Sequence, residues 1–545
     1  MRASEGIVEQ LVASGIDTVY GIPGTQSLPL NEAIESRSAV RFVMARHETA
    51  VSHMAWGHAE TTGGMAATVV IPGPGDMNAL NGLTNAARDC TPLLHVAIET
   101  DPDLRGTDAI HETPPAVYDE VLKENVTVET PESVVPAVER AVAVARSPPQ
   151  GPVRLGVPKG FLGAEVPRTA SGSYQTEGPR DLPQQAVDEA ADVLAAGSSP
   201  VVVAGGGVRS AGAQEALRTV AERLDAPVVV TFKGKGIFPE DHDLFAGVLS
   251  VGSSANLYAC LDESDAVLAV GTDFDAVTTQ EWTPDLGENL VHVTVDPDDL
   301  GTGYRPTVGL VADAADALAA LDDALADLSP AGRDGRSRAA TVRERDRDLM
   351  ADVLSVSEPP LTSASAERAV EAALPDDAVV SVDAGGFRIW SLYAITMTDD
   401  QQFLDTGSWA TMGTSVPGAV GAKVANPDRP VVALVGDGGL LMCMQELHTA
   451  AVENVPVVVV VLDNDDYATI SAEAASEFDL GPHPYRWAET PVSFVDVAEG
   501  LGVTATEARR PEEITAAVDA ALDREEPTLI EVPTDPDEPQ AKPLE

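Results

Sequence analysis

The sequence predicts an α/β protein built from three doubly wound parallel-sheet domains. Three observations carry that expectation. At 545 residues the chain is too long for one ordinary core, and it suits three units of roughly 150 to 180 residues. Apolar runs of strand length recur along it, separated by segments rich in helix formers, as in parallel sheets covered by helices. Two of these runs, 431–435 and 455–462, end in Gly436-Asp437-Gly438-Gly439 and Asp463-Asn464-Asp465-Asp466. Flexible and polar residues therefore fall where an open sheet exposes the C-terminal ends of its strands.

The first domain, 1–165, alternates amphipathic helices with short apolar strands at 67–71, 93–98 and 153–157. Segment 164–182 mixes Pro, Ser, Gly and Thr without periodicity and reads as a linker. The second domain, 184–328, opens with a helix and continues through strand-like runs at 200–207, 227–231, 266–271 and 290–296. Segment 329–360 carries a charge run at 343–348, which suits a solvated helical connection. The third domain, 361–540, holds the Gly-Asp-Gly-Gly turn. Its segment 440–454 is rich in helix formers, so 431–462 reads as one βαβ unit. The matching layout of the end domains suggests a duplication, although no residue-level repeat is visible.

Within that βαβ unit a right-handed crossover sets the two strand ends on one edge. The edge would carry the Asp437 carboxylate, the Asn464 amide oxygen and a helix N-terminus, a hard-oxygen and N–H set suited to Mg²⁺ bridging a diphosphate. Gly436 and Gly438 let the chain turn sharply and let a bulky anion approach the backbone. An isolated Gly-Asp-Gly is more often a plain tight turn; strand context and the paired Asn favour the metal site.

Gly436-Asp437-Gly438, followed at family spacing by Asp463-Asn464, resembles the thiamine diphosphate (ThDP) motif of acetolactate synthase, pyruvate decarboxylase and benzoylformate decarboxylase. That resemblance implies Asp437 and Asn464 as Mg²⁺ ligands and the backbone carbonyl of Asp466 as a third. The family often has Gly at Asp466, which leaves the backbone angle there open. It also places Gly24, Gly386, Gly436, Gly438, Gly439 and Tyr467 at the cofactor. Met412, in the loop 406–413, would wedge between the two cofactor rings, with plain core packing as its rival role.

Arg46-His47-Glu48-Thr49-Ala50 and Ile71-Pro72-Gly73-Pro74-Gly75-Asp76-Met77-Asn78 resemble the pyrimidine-binding domain of the same enzymes, and Glu48 falls on their activating glutamate. A carboxyl sharing a proton with the pyrimidine N1′ would drive the imino tautomer that forms the C2 ylid, a task for an acid whose pKa is raised by partial desolvation. A zincin assignment fails because Val51 stands where His-Glu-x-x-His needs its second His. His53 and His58 read as ordinary helix histidines.

In the middle domain, Gly205-Gly206-Gly207-Val208-Arg209-Ser210 only partly fits a dinucleotide fingerprint. Acetolactate synthases bind FAD there, but Asp273 replaces their usual Arg, and a reversed charge beside a flavin diphosphate is unfavourable. FAD is thus possible but not expected. The segment 467–473 also lacks the family's Gln-Trp-Gln, and Gly386-Phe387 replaces Gln-His. His111 replaces Gln, as a proton-relaying catalytic histidine or as a surface loop residue. The resemblance implies decarboxylation or carboligation of a 2-oxo acid through a ylid and an enamine. Alternatives are acetolactate synthase proper with FAD, a non-catalytic ThDP-binding homologue, and an NAD-dependent oxidoreductase resting on the incomplete glycine loop alone.

With 34 basic and 87 acidic residues the formal charge is −53, which excludes nucleic acid as a natural partner and disfavours anionic membranes. Only six basic residues are Lys, a composition that resembles proteins of a high-salt cytoplasm. Cys90, Cys260 and Cys443 read as buried free thiols, and the absence of a signal-like N-terminus or a membrane-length apolar run predicts a soluble cytoplasmic protein. In relatives the two cofactor-binding domains meet across a subunit interface, so a homodimer or homotetramer is expected.

Overall fold

The computed structural model describes residues 1–167, 182–327 and 332–540. Three six-stranded sheets, every pairing parallel, follow one another along the chain. The first comprises β1 Thr18–Gly21, β2 Arg41–Met44, β3 Ala66–Val70, β4 Leu93–Glu99, β5 Glu124–Thr127 and β6 Val153–Pro158, in the order β2-β1-β3-β4-β6-β5. The second comprises β7 Pro200–Ala204, β8 Val228–Thr231, β9 Phe245–Leu249, β10 Ala266–Val270, β11 Leu290–Thr294 and β12 Val308–Val311, in the order β12-β11-β10-β7-β8-β9. The third comprises β13 Val379–Val382, β14 Gln402–Asp405, β15 Val431–Gly436, β16 Val458–Asp463, β17 Thr504–Glu507 and β18 Thr528–Pro533, in the order β14-β13-β15-β16-β18-β17.

Counted from its own first strand, the third sheet repeats the order of the first. The middle sheet instead has the order of dinucleotide-binding folds. Central strands such as β3, β7, β10 and β15 are buried along nearly their whole length and supply the apolar runs seen in the sequence. Some edge strands escape that signal: β2, β5 and β17 are mostly half-buried or exposed.

Three sequence expectations need revision. The helix expected over 440–454 is two helices, Asp437–Cys443 and Gln445–Glu453, broken at Met444. The strand expected from 455 begins at Val458, since Val455 to Val457 first turn the chain off the preceding helix. Cys260 and Cys443 are buried, but Cys90 is exposed: it takes φ 53 just past the end of the Pro74–Arg88 helix and faces a gap beside the middle domain. The linker 164–182 lies largely outside the described residues, as does the start of 329–360. The charge run 343–348 sits in the helix Gly335–Leu354, where Asp346 is buried and accepts the Asn256 amide.

The end domains meet through the helices Glu48–Thr62 and Ser415–Ala425, which approach backbone to backbone at Gly57, Gly418 and Gly421. The first and middle domains are joined by Lys233, whose ammonium contacts Glu60 at 3.1 Å and Asp89 at 3.0 Å. No helix among the described residues is long and apolar enough to cross a membrane.

Candidate active site

β15 and β16 are register neighbours, Gly436 opposite Leu462, so their C-terminal turns lie side by side. Asp437 is buried; its Oδ1 accepts the Gly438 N–H at 2.7 Å and its Oδ2 the Asn464 N–H at 3.2 Å. Asn464 Oδ1 accepts the Asp466 N–H at 3.1 Å. The loop makes its turn at Asp465, φ 57, and Asp466 needs no left-handed angle. That resolves the backbone question raised by a non-glycine residue there.

Beside Asp437 lies Asp463. Burial, reinforced by the Asp437 carboxyl, pushes Asp463 up to about 7, and burial raises Asp437 too. A buried Asp437 and a half-buried Asp463 side by side suit a divalent cation, which would relieve their repulsion. The residues present therefore fit Mg²⁺.

The glycines form a cradle for which no larger residue would serve. A Cβ on Gly438 would lie 2.5 Å from the Tyr467 ring and 3.2 Å from Met412 Cε. One on Gly439 would lie 2.3 Å from Asp383 Oδ2, and one on Gly386 2.5 Å from Thr469 Oγ1. Gly386, Met412, Gly438, Gly439, Tyr467 and Thr469 line, together with Gly436, Asp437, Asn464 and Asp466, one cleft of about 940 Å³. With glycine at 386, 436, 438 and 439 in the cleft lining, no side chain of theirs stands between backbone and cleft, which fits a diphosphate.

The sequence did not single out Asp383, at the end of β13. It is buried and accepts the N–H groups of Gly413 at 2.9 Å and Thr414 at 3.0 Å, which fixes the loop carrying Met412; burial holds its carboxyl at about 6. An acidic residue at a strand end, as at Asp437, was the available signal.

Three candidates lie elsewhere. Glu48 begins the helix Glu48–Thr62 on the C-terminal edge of the first sheet, accepts the Asn78 amide at 3.0 Å and borders Gly75. Gly24 donates its N–H to Ser27 Oγ at 3.0 Å, and a Cβ there would lie 2.3 Å from Ile71. His111, at φ 65, faces Gln26 at 3.4 Å, and its carbonyl presses on Gly73. These three share an edge with one another. Glu48, Gly24 and His111 do not line the cleft of Asp437 in the same chain.

Three family models match the chain in order: the thiamine pyrophosphate enzyme N-terminal TPP binding domain at 1–119, the central domain at 187–321 and the C-terminal TPP binding domain at 383–532. This chain is a thiamine pyrophosphate enzyme. The ThDP enzyme is similar to a probable acetolactate synthase large subunit of Methanocaldococcus jannaschii, 30% identical over 99% of this chain and 93% of the relative. It is 28% identical to the large subunit of acetolactate synthase isozyme 1 of Escherichia coli, over 98% and 94%. A probable 2-ketoarginine decarboxylase of Pseudomonas aeruginosa is 35% identical over 85% of this ThDP enzyme and 82% of the relative.

Proposed function

We propose that the enzyme uses Mg²⁺ and ThDP to decarboxylate a 2-oxo acid, passing the remaining fragment to a proton or to a second carbonyl compound. The observation that carries this is the single cleft uniting Asp437, Asn464, Asp466 and the glycine cradle at the edge of the third sheet. The Asp437 carboxylate, the Asn464 amide oxygen and the Asp466 carbonyl would hold Mg²⁺. Gly386, Gly436, Gly438 and Gly439 make room for the diphosphate, while Met412 and Tyr467 wall the cleft. ThDP, when bound, supplies a nucleophilic carbon and an electron sink for breaking the bond next to a carbonyl. Glu48 would hold the proton exchanged with the pyrimidine, and His111 would relay one to the substrate.

Because Glu48 stands apart from its own chain's cleft, the working unit is a homodimer or a pair of dimers, with Glu48 of each copy serving the other. The intact Glu48, Asp437 and Asn464 favour catalysis over a purely binding role. In the middle domain, the gap beside Gly206 and Gly271 is lined by Asp273, Asp275, Asp296 and Asp299 against Arg88 and a Lys233 already paired with Glu60 and Asp89, an acidic balance that disfavours a flavin diphosphate. Mass spectrometry of the extracted cofactor, followed by CO₂ and product analysis with pyruvate, 2-oxobutyrate and benzoylformate, tests this assignment. Absence of ThDP affinity in saline, Mg²⁺-replete buffer refutes it.

A specific feature favours a cationic 2-oxo acid as substrate. Thr469, Glu473 and Glu477 recur every four residues on the helix Ala468–Phe478, all lining the cleft, so the carboxylates step outward from the glycine cradle by about 6 Å each. Neither glutamate has an ion-pair partner among the described residues. Arg388, the basic residue of the lining, is bound to Asp405 and to the Gly407 carbonyl. Similarity to a protein named for 2-ketoarginine decarboxylation supports the same choice.

A further inference from the structure

A residue that offers a metal only its backbone carbonyl has no use for a buried side chain, yet the Asp466 carboxylate is 0% exposed and fully engaged. Its Oδ1 accepts the Ser471 hydroxyl at 2.6 Å, and its Oδ2 faces His483 Nδ1 at 2.8 Å. The other ring nitrogen, Nε2, faces Asp537 Oδ1 at 2.9 Å. Three segments are thereby tied at one point: the loop after β16, the stretch after the helix Ala468–Phe478, and the chain following β18. His483 holds φ 49, a left-handed angle that residues with a Cβ avoid, and from it both ring nitrogens reach a carboxylate.

The surrounding backbone closes on the same place. Asp466 bridges to Arg486, the Trp487 N–H reaches the Asp465 carbonyl at 2.8 Å, and the Tyr485 N–H reaches Ser471 Oγ at 3.3 Å. Residues 483–487 therefore lie as a strap across the loop that carries Asn464 and Asp466.

We infer that His483 is a positioning residue for the metal loop, clamping the Asp466 side chain so that the Asp466 carbonyl is preset toward a divalent cation. This rests on the proposed metal role of Asp466. Glycine at this position would leave the carbonyl's direction to the backbone alone. The clamped carboxylate fixes it from the side chain, so less ordering remains to be done when the cation binds.

The test titrates Mg²⁺ calorimetrically at saturating ThDP into the parent protein, His483→Ala, His483→Gln and Asp537→Asn, alongside thermal unfolding of each without cofactor. His483→Ala is expected to raise the Mg²⁺ Kd by about tenfold or more. Its cofactor-free unfolding temperature falls modestly, since Asp466 Oδ2 loses its donor, but the fold persists and saturating Mg²⁺ restores turnover. His483→Gln, which keeps a donor for Asp466, falls between. Asp537→Asn alters an exposed carboxylate and shifts the Kd in the same direction by less. Mg²⁺ affinity within about twofold of the parent in His483→Ala overturns the clamp. Should His483→Ala fail to fold, unchanged affinity in Asp537→Asn overturns it alone. A parent protein that binds neither Mg²⁺ nor ThDP overturns the metal assignment beneath it instead.

Discussion

A methyl group on Gly57 would lie 2.1 Å from the backbone carbonyl oxygen of Gly418, so the helices joining the first and third domains touch with no side chain between them. The obstacle is main chain and cannot swing aside. Gly57→Ala is expected to destabilise the protein by about 1–3 kcal/mol through overpacking, measured by urea unfolding in high salt. Gly500→Ala, whose methyl would meet nothing within 4 Å, serves as the control and should leave the midpoint in place. Equal midpoints for the two variants would remove this contact from the account of how the domains are held. Glu48 begins the same helix, so Gly57→Ala should also lower turnover.

Two residues before Glu48, the Arg46 N–H donates to the Glu446 carboxyl at 3.2 Å, and Thr449 Oγ donates to it at 2.7 Å. Burial holds this carboxyl up at about 7, against an ordinary carboxyl value near 4.5. The folded chain then binds the proton more tightly than the unfolded one. Stability from this group is complete below about pH 4.5 and is lost as pH rises through about 7, on the order of 3 kcal/mol in all. Unfolding free energy should therefore fall between pH 5 and 8, and Glu446→Gln should flatten that slope. Burial-raised Asp463 and Glu538 keep the slope from vanishing. An unaltered slope in Glu446→Gln would dissociate this residue from the effect.

Glu48→Gln keeps the shape of the side chain and can still accept the Asn78 amide, but it cannot pass a proton. Turnover should drop by roughly 10²–10⁴-fold, while ThDP and Mg²⁺ bind as in the parent. The measurements are steady-state kinetics and calorimetry on the same preparation. Activity near that of the parent would exclude Glu48 as the proton partner of the pyrimidine.

Charge at Glu473 should decide between substrates. Glu473→Gln is expected to lower kcat/KM for a 2-oxo acid ending in a guanidinium group by about two- to fivefold, the scale of one exposed ion pair. For pyruvate, which has no such group, kcat/KM should hold or rise. A uniform fall for both substrates would assign Glu473 to the shape of the cleft and not to charge recognition.

The parts of this architecture that the sequence made legible are those fixed by neighbours along the chain. The turns after β15 and β16 announce Asp437 and Asn464 because strand, glycine and acid follow one another directly. The Asp437–Asp463 pairing was hidden, since it depends on two turns being brought side by side by the crossover. Asp383 was missed for the same reason: its partners, the Gly413 and Thr414 amides, lie about thirty residues away. β9 and β12 went unseen as edge or near-edge strands with little periodicity, and the break at Met444 leaves no Pro or Gly to mark it. His111 was open between catalysis and a free loop; its contacts with Gln26 and Gly73 place it on the edge shared with Glu48.

The excess of 53 negative charges sets the last expectation. With 87 acidic side chains against 34 basic ones, most carboxylates cannot find a partner, and self-repulsion opposes the compact, assembled state. Its reach depends on the solvent: the Debye length is about 3 Å at 1 M salt and about 30 Å at 0.01 M. Neighbouring surface carboxylates are thus isolated from one another in concentrated salt and act together in dilute buffer. The unfolding temperature should climb steeply with KCl, and sedimentation at low KCl should show smaller, inactive species, because under the proposed assembly Glu48 would then lose its partner cleft. If screening is the cause, NaCl at equal ionic strength must act as KCl does and sucrose must not substitute for either. Full assembly and turnover in dilute buffer would mean that the sheet cores and the Gly57–Gly418 contact alone outweigh the repulsion.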